Sequence, residues 1–266
     1  MSVLIAIPAR YASTRYPGKP LVPLTGASGN SQTLIERSWR AAMAVQGVDR
    51  VVVATDDDRI REAAEGFGAE VVMTSENCAN GTERCAEAHE VLGGGFDIVV
   101  NLQGDAPLTP HWFVEDLVAG LKSAPNAGVA TPVLRCDGEA LNSLLNDRKH
   151  GRVGGTTAVF ARDNSAMYFS KEVVPFTAQT YGDTDPTPVF HHVGVYAYRK
   201  DALSAYPTWE TGPLETLEGL EQLRFMENNH KILCVEVEAR GRQFWELNNP
   251  SDVPKLEAMM AAMGLD

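Results

Sequence analysis

Leu4-Ile5-Ala6-Ile7-Pro8-Ala9-Arg10-Tyr11-Ala12-Ser13-Thr14-Arg15-Tyr16-Pro17-Gly18-Lys19-Pro20-Leu21 decides how the chain is read. The apolar run Val3 to Ile7 has β-branched residues at Val3, Ile5 and Ile7. Such a run, short and stopped by Pro8, predicts a buried strand. The loop after it gathers Arg10, Arg15 and Lys19 with two small hydroxyls, Ser13 and Thr14. Arginine offers a planar fork of donors and lysine a point charge, and both suit phosphate oxygens. Gly18 lets backbone approach a ligand closely. Open α/β sheets hold their ligands at the carboxyl ends of strands, where this loop lies. The plainer alternative is a basic surface loop beside a strand end. A Walker loop is excluded, because the G-x-x-x-x-G-K-[ST] spacing is absent.

Working outward, strands alternate with helices. Leu34, Ile35, Trp39, Ala42 and Val45 recur at helical spacing across Thr33 to Val45. Val51 to Ala54, Glu70 to Met73 and Asp97 to Leu102 read as strands, with helices over Arg59 to Phe67 and Asn80 to Leu92 between them. The Thr55-Asp56-Asp57-Asp58 run reads as a helix cap in preference to a metal site. Further on come a helix from Val114 to Leu121, a strand from Gly128 to Val133 and a strand from Phe190 to Tyr198. A helix opening at Gly212 and running through Arg224, a strand from Ile232 to Val237 and a helix from Pro250 to Met263 complete the pattern. This alternation predicts an α/β fold with a doubly wound, mostly parallel sheet.

The 266 residues suffice for one large α/β domain, and 44% hydrophobic residues supply a core. Lys+Arg of 23 against Asp+Glu of 35 gives −12, which argues against a nucleic-acid partner. A cationic loop in an acidic chain points instead to a small anionic ligand. No apolar window is long enough for a membrane span, and no secretory signal pattern precedes the first strand. Cys78, Cys85, Cys136 and Cys234 fit neither zinc nor redox spacing, so reduced thiols and a cytoplasmic location are expected.

Two further motifs stand at predicted strand and helix ends. Asn80-Gly81-Thr82-Glu83-Arg84 starts a helix. Asn101-Leu102-Gln103-Gly104-Asp105-Ala106-Pro107 places a carboxylate after the fourth strand, between a flexible glycine and a rigid proline. Attack on an α-phosphate builds charge that a hard cation neutralises, and such a cation takes carboxylate oxygens. A polar turn is the plainer reading of the same residues.

The Pro8 to Leu21 order closely resembles the N-terminal signature of CMP-Kdo synthetases, the 3-deoxy-manno-octulosonate cytidylyltransferases. The resemblance runs through almost the whole chain. It implies that Pro8, Ala9, Arg10, Ser13, Arg15 and Lys19 surround the triphosphate of CTP. It implies that Gly81, Thr82 and Arg84 contact the cytidine. Gln103-Gly104-Asp105 matches the family's Gln-Gly-Asp-Glu-Pro, which implies Asp105 as a Mg²⁺ ligand and Gln103 near the sugar; Ala106 departs from the usual Glu. Tyr168-Phe169-Ser170-Lys171 is similar to Tyr-Phe-Ser-Arg, with Lys171 in place of the arginine. His192-Val193-Gly194-Val195-Tyr196 matches His-x-Gly-x-Tyr, and Leu220 to Arg224 matches Leu-Glu-Gln-Leu-Arg. Lys171, His192, Tyr196, Glu221 and Gln222 are thereby implied to hold the sugar acid.

Two segments depart from the pattern. The family's Asn-x-Val-Lys-Val-Val-like segment is replaced by residues 147–160, where Arg148, Lys149 and Arg152 are candidates for the missing lysine, or the segment is only a connection. Near the C-terminus Asn248 stands where the family has its second metal carboxylate, leaving Asp105, Asn248 and Glu246 as the implied metal set. Asp252 is expected to start the final helix. The implied enzyme is a nucleotidyltransferase of one domain, 1–266, with a small sheet inserted at about 165–215 as the dimer contact. Catalysis would rest on Arg10, Arg15, Lys19 and Asp105. The implied product, CMP-Kdo, feeds lipopolysaccharide or other surface-polysaccharide synthesis. A related acceptor (8-amino-Kdo or a nonulosonic acid) and a nucleotide-sugar binding protein with little turnover are the alternatives.

Overall fold

A computed structural model describes residues 1–12, 16–242 and 245–266. In chain order the regular elements begin with β1 (Val3–Ala9), β2 (Pro23–Thr25), β3 (Ser31–Thr33), α1 (Leu34–Met43), β4 (Arg50–Thr55), α2 (Asp58–Gly66), β5 (Glu70–Met73) and α3 (Gly81–Val91). They continue with β6 (Ile98–Leu102), α4 (His111–Ser123), β7 (Val129–Asp137), α5 (Gly138–Lys149), β8 (Thr156–Phe160) and β9 (Ala166–Ser170). The last are β10 (Pro186–His192), β11 (Val195–Arg199), α6 (Lys200–Ala205), α7 (Pro213–Glu218), α8 (Leu223–Glu227), β12 (Ile232–Glu236) and α9 (Val253–Met263). No described helix is long and apolar enough to cross a membrane.

The chain forms two compact units. The first takes Met1–Glu115, Tyr198–Ser204 and Ala239–Asp266. Its sheet runs β5-β4-β1-β6, all parallel. Val3 to Ile7 are wholly buried, as an apolar run covered on both faces requires. Thr33, Asp57 and Asn80 cap the helices that follow, each side chain accepting from a first-turn amide. Asp57 thus does what the acidic run was read to do. A second apolar cluster joins Leu24, Leu34 and Leu108 to Leu247, Leu256 and Met260. It fixes the C-terminal segment onto this unit and brings the Leu247 amide to the Asp105 carbonyl at 3.0 Å.

The second unit takes Asp116–Ala197 and Ala205–Glu238. Here the sheet is mixed. β12 is parallel to β7, while β10 is antiparallel to both β7 and β8, and β9 is antiparallel to β8. The α/β class holds, with parallel pairing along β5-β4-β1-β6 and between β7 and β12, and antiparallel pairing at β7–β10–β8–β9.

Three local expectations are corrected. The strand expected over Phe190 to Tyr198 is two strands, interrupted at Val193 and Gly194. The helix expected through Arg224 is two short helices, because Gly219 lies in the left-handed region at φ 60 and ends α7. The basic segment at 147–160 begins inside a helix the sequence reading did not place. Asp137 caps α5, its side chain accepting from the Ala140 amide at 2.8 Å. Leu141 and Leu144 pack with Cys136 and Val189.

Candidate active site

In the first unit three segments converge at the carboxyl edge of the parallel strands. A Cβ placed on Gly81 would lie 3.2 Å from Asn101 Nδ2, 3.4 Å from Gln103 Nε2 and 3.4 Å from Pro8 Cγ. The end of β1, the start of α3 and the end of β6 therefore meet at one point. Gly104 is a position only glycine fits, since its Cβ would stand 2.9 Å from the Pro8 carbonyl oxygen. That close approach ties the Gln103–Asp105 turn to the strand carrying Pro8. Asn101 is fully buried, and neither its amide nitrogen nor its oxygen has a hydrogen-bond partner. An orphaned buried amide costs about 1–3 kcal/mol, a penalty that a ligand or bound water would relieve.

Lys19 opens a 3-10 turn, Lys19–Leu21, after Gly18 at φ 70. Its ammonium lies 2.6 Å from Asp105 Oδ2, with both side chains mostly buried. The expected phosphate ligand and the expected metal ligand thus neutralise each other. Arg10 is exposed and makes no ion pair among the described residues. Ser13 and Arg15 lie outside the described residues, as does Thr14.

Two of the expected nucleotide contacts have side chains spent inward. Thr82 is buried, its Oγ1 2.8 Å from the Tyr198 hydroxyl. Arg84 is buried too; it donates to Thr74 Oγ1 at 2.5 Å and pairs with Asp56 at 3.2 Å. These partners anchor Arg84 at the start of α3. The sequence does not announce the pair, because Asp56 is 28 residues away.

In the second unit the residues expected to meet the sugar gather around β10 and β11. Phe169 meets His192 edge to face and His192 meets Tyr196 at a tilt, with ring centroids 5.0 Å and 5.6 Å apart. Burial pushes the His192 imidazole down from 6.5 to about 3, so it is neutral at ordinary pH. Its tautomer follows from its neighbour. Thr131 Oγ1 has one hydrogen and donates it to the Val195 carbonyl at 2.9 Å. His192 Nε2, also 2.9 Å from that hydroxyl, must then be the donor. Nδ1 is left as an acceptor. The Tyr196 hydroxyl donates to Gln222 Oε1 at 3.0 Å, and the buried Gln222 Nε2 has no partner. An aromatic wall, a bare imidazole nitrogen and an unspent amide donor suit a polyhydroxylated ligand.

Lys171 is half-buried and makes no ion pair among the described residues. Of the three candidate cations at 147–160, Lys149 is exposed and makes no ion pair among the described residues, and the two arginines are spent. Arg148 pairs with Glu172, and Arg152 pairs with Asp147 at 2.6 Å. The acidic residues of α7 are not a solvated face. Glu215 is buried against Arg224 at 2.7 Å, and Glu218 accepts hydrogen bonds from the end of β9. Sequence reasoning missed Glu218, and its i, i+3 spacing from Glu215 offered no sign of a buried partner.

The expected metal set is sparse. Among the described residues no three His, Cys, Asp or Glu side chains cluster closely enough to cage a metal. The Leu247–Asp105 backbone bond brings the Glu246–Asn248 segment beside Asp105. Asn248 Nδ2 lies 3.5 Å from Glu246 Oε2. Asp252 is spent as a cap, accepting from the Asn248 and Asn249 amides at 3.0 and 2.7 Å. Mg²⁺ characteristically takes one or two carboxylates and completes its shell with water and substrate phosphates. Asp105 with an amide oxygen fits that manner of binding, and does not fit an all-protein cage.

A cytidylyltransferase family model matches residues 4–232. The chain belongs to the cytidylyltransferase family. It is 45% identical over 264 residues to the 3-deoxy-manno-octulosonate cytidylyltransferase of Maricaulis maris, covering 99% of each chain. It is 40% identical to the 8-amino-3,8-dideoxy-manno-octulosonate cytidylyltransferase of Shewanella piezotolerans, covering 98% of this chain and 99% of that one. Among solved structures, a CMP:2-keto-3-deoxy-manno-octonic acid synthetase complexed with CTP matches with a TM-score of 0.83 and 31% identity. That match covers 99% of this chain and 100% of the other. The resemblance read from the Pro8 to Leu21 signature is borne out.

Proposed function

We propose that this cytidylyltransferase activates 3-deoxy-manno-octulosonate with CTP, giving CMP-Kdo and pyrophosphate for surface-polysaccharide synthesis. The observation that carries it is the full-length identity of 45% with an enzyme of that name. The anomeric hydroxyl of the sugar attacks the α-phosphorus. A new P–O bond forms, the bond to the bridging oxygen of the β-phosphate breaks, and pyrophosphate leaves. The hydroxyl proton passes to solvent. Positioning and electrostatics supply the catalysis, and no covalent enzyme intermediate is needed.

The expected residues take these tasks, with Arg84 anchoring the start of α3 beside the nucleotide. Arg10, Arg15 and Lys19 hold the triphosphate, so Lys19 exchanges Asp105 for a phosphate oxygen when CTP binds. Pro8, Ala9, Ser13, Gly81 and Thr82 border the nucleotide through backbone and small groups. Gln103, Lys171, His192, Tyr196, Glu221 and Gln222 meet the acceptor. Asp105, with Asn248 or Glu246, would hold Mg²⁺, which supplies positive charge at the phosphates. A reaction that consumes CTP suits the cytoplasm, as do four cysteines that form no disulfide.

We also read 1–266 as one catalytic domain whose small sheet at about 165–215 forms a homodimer contact. Met167 and Phe176 are 65% and 89% exposed, and Leu217 is 81% exposed, which supports an apolar contact in the second unit. Sedimentation should give twice the 28.8 kDa chain mass; a single-chain mass would remove the dimer.

Pyrophosphate release across a panel of nucleotides and acidic sugars tests the specificity. CTP with Kdo should give the largest kcat/KM. A preference for UTP would refute the nucleotide assignment, and a preference for the 8-amino sugar would refute the acceptor.

A further inference from the structure

Glu218 is the last residue of α7, and its carboxylate accepts three hydrogen bonds from one short segment. Ser170 Oγ donates to Oε1 at 2.7 Å, the Tyr168 hydroxyl to Oε1 at 3.3 Å, and the Lys171 amide to Oε2 at 3.0 Å. These donors lie at the end of β9 and just past it. Gly219 follows in the left-handed region, and its amide closes the helix on the Glu215 carbonyl at 2.7 Å. The Lys171 side chain runs over that glycine, since a Cβ there would lie 3.0 Å from Nζ. Glu221 and Gln222 come next in the chain. One carboxylate therefore ties the end of β9 to the turn that carries two other acceptor residues.

The charges are arranged with purpose. Glu218 spends its lone pairs on a backbone N–H and two hydroxyls and forms no ion pair with the Lys171 ammonium, which lies beyond 4.0 Å. The ammonium keeps its charge for an anion. Lysine reaches on a flexible stem and lacks arginine's pre-organised fork. Its aim depends on where its backbone is held, and Glu218 holds that backbone.

We propose that Glu218 is a positioning residue for the acidic acceptor, acting through Lys171 and the Gly219–Gln222 turn. The inference rests on the reading that Lys171 meets the acceptor's carboxylate. Glu218→Gln retains an acceptor for Ser170 but turns an NH₂ toward the Lys171 amide. Steady-state kinetics of Glu218→Gln, Lys171→Met and the double variant test it. Glu218→Gln should raise the KM for Kdo about tenfold, the loss of one charge-assisted hydrogen bond, with the KM for CTP unchanged. In the Lys171→Met background the same change should add almost nothing, because coupled residues are not additive. Equal effects on both substrates, or full additivity, would overturn the inference. If Lys171→Met itself leaves the KM for Kdo unchanged, the reading of Lys171 falls, and Glu218 with it. Should Glu218→Gln fail to fold, Ser170→Ala removes one of the donors and should give the same substrate split at smaller size; an unsplit effect would count against the proposal.

Discussion

Lys19 in the first unit and Lys171 in the second are both half-buried lysines near a carboxylate, and the two units use that pairing differently. The Lys19 ammonium lies 2.6 Å from Asp105 Oδ2, so cation and anion neutralise each other until a charged ligand separates them. Glu218 instead binds the Lys171 amide at 3.0 Å and leaves the ammonium unpaired. The first arrangement holds charge of both signs in contact. The second leaves one positive charge without an ion-pair partner, as the proposed reading of Lys171 needs. Arg224 and Glu215 in the second unit show a third case. Both are buried and doubly hydrogen-bonded, at 2.7 and 2.8 Å, with nothing left over for a ligand.

That third pair gives the largest expected effect. Arg224→Met leaves a buried carboxylate unpaired, which costs about 3–5 kcal/mol of stability. Denaturant unfolding should show this loss, with substrate KM values unchanged in the folded fraction. A small loss of stability would mean that Glu215 and Arg224 are not the structural pair the comparison needs.

Lys19→Ala comes next. Loss of a donor aimed at transition-state charge lowers turnover by about 3 kcal/mol, or roughly a hundredfold. The fold should survive, because Asp105, whose side chain is 25% exposed, can be solvated once its partner is gone. A folded variant with near-native kcat would place Lys19 outside the chemistry and end the contrast with Lys171.

The elements of the first unit were legible in the sequence and those of the second only in part, for a physical reason. β1, the cap at Asn80 and the turn at Gly104 are specified by residues close together in the chain. The Lys19–Asp105 pair spans 86 positions and Thr131–His192 spans 61, and no periodicity announces such contacts. At α7 local pattern misled outright. Leu214, Leu217 and Leu220 look like one apolar stripe, yet Leu217 is largely exposed and Gly219 breaks the helix. A glycine inside a helix costs only about 1 kcal/mol, so periodicity alone reads through it. The interruption at Val193 and Gly194 escaped for a similar reason, since both flanks are good strand formers.

The smallest expected effect concerns Asn248. An amide oxygen can bind a hard cation but brings no charge. Asn248→Asp should lower the Mg²⁺ concentration that gives half-maximal activity by a few-fold, on the order of 1 kcal/mol for one added charge near a surface site. Magnesium titrations of both forms decide the point. An unchanged or higher requirement would remove Asn248 from the metal's surroundings and leave Asp105 to act with substrate phosphates alone.

The fate of the α-phosphate of CTP tests the proposed chemistry most directly. With the protein, CTP, Kdo and Mg²⁺ mixed, phosphorus NMR should show the triphosphate signals replaced by a sugar-linked phosphodiester and pyrophosphate in equal amounts. Free CMP with pyrophosphate and no phosphodiester, or unchanged CTP beside a folded protein, would contradict it.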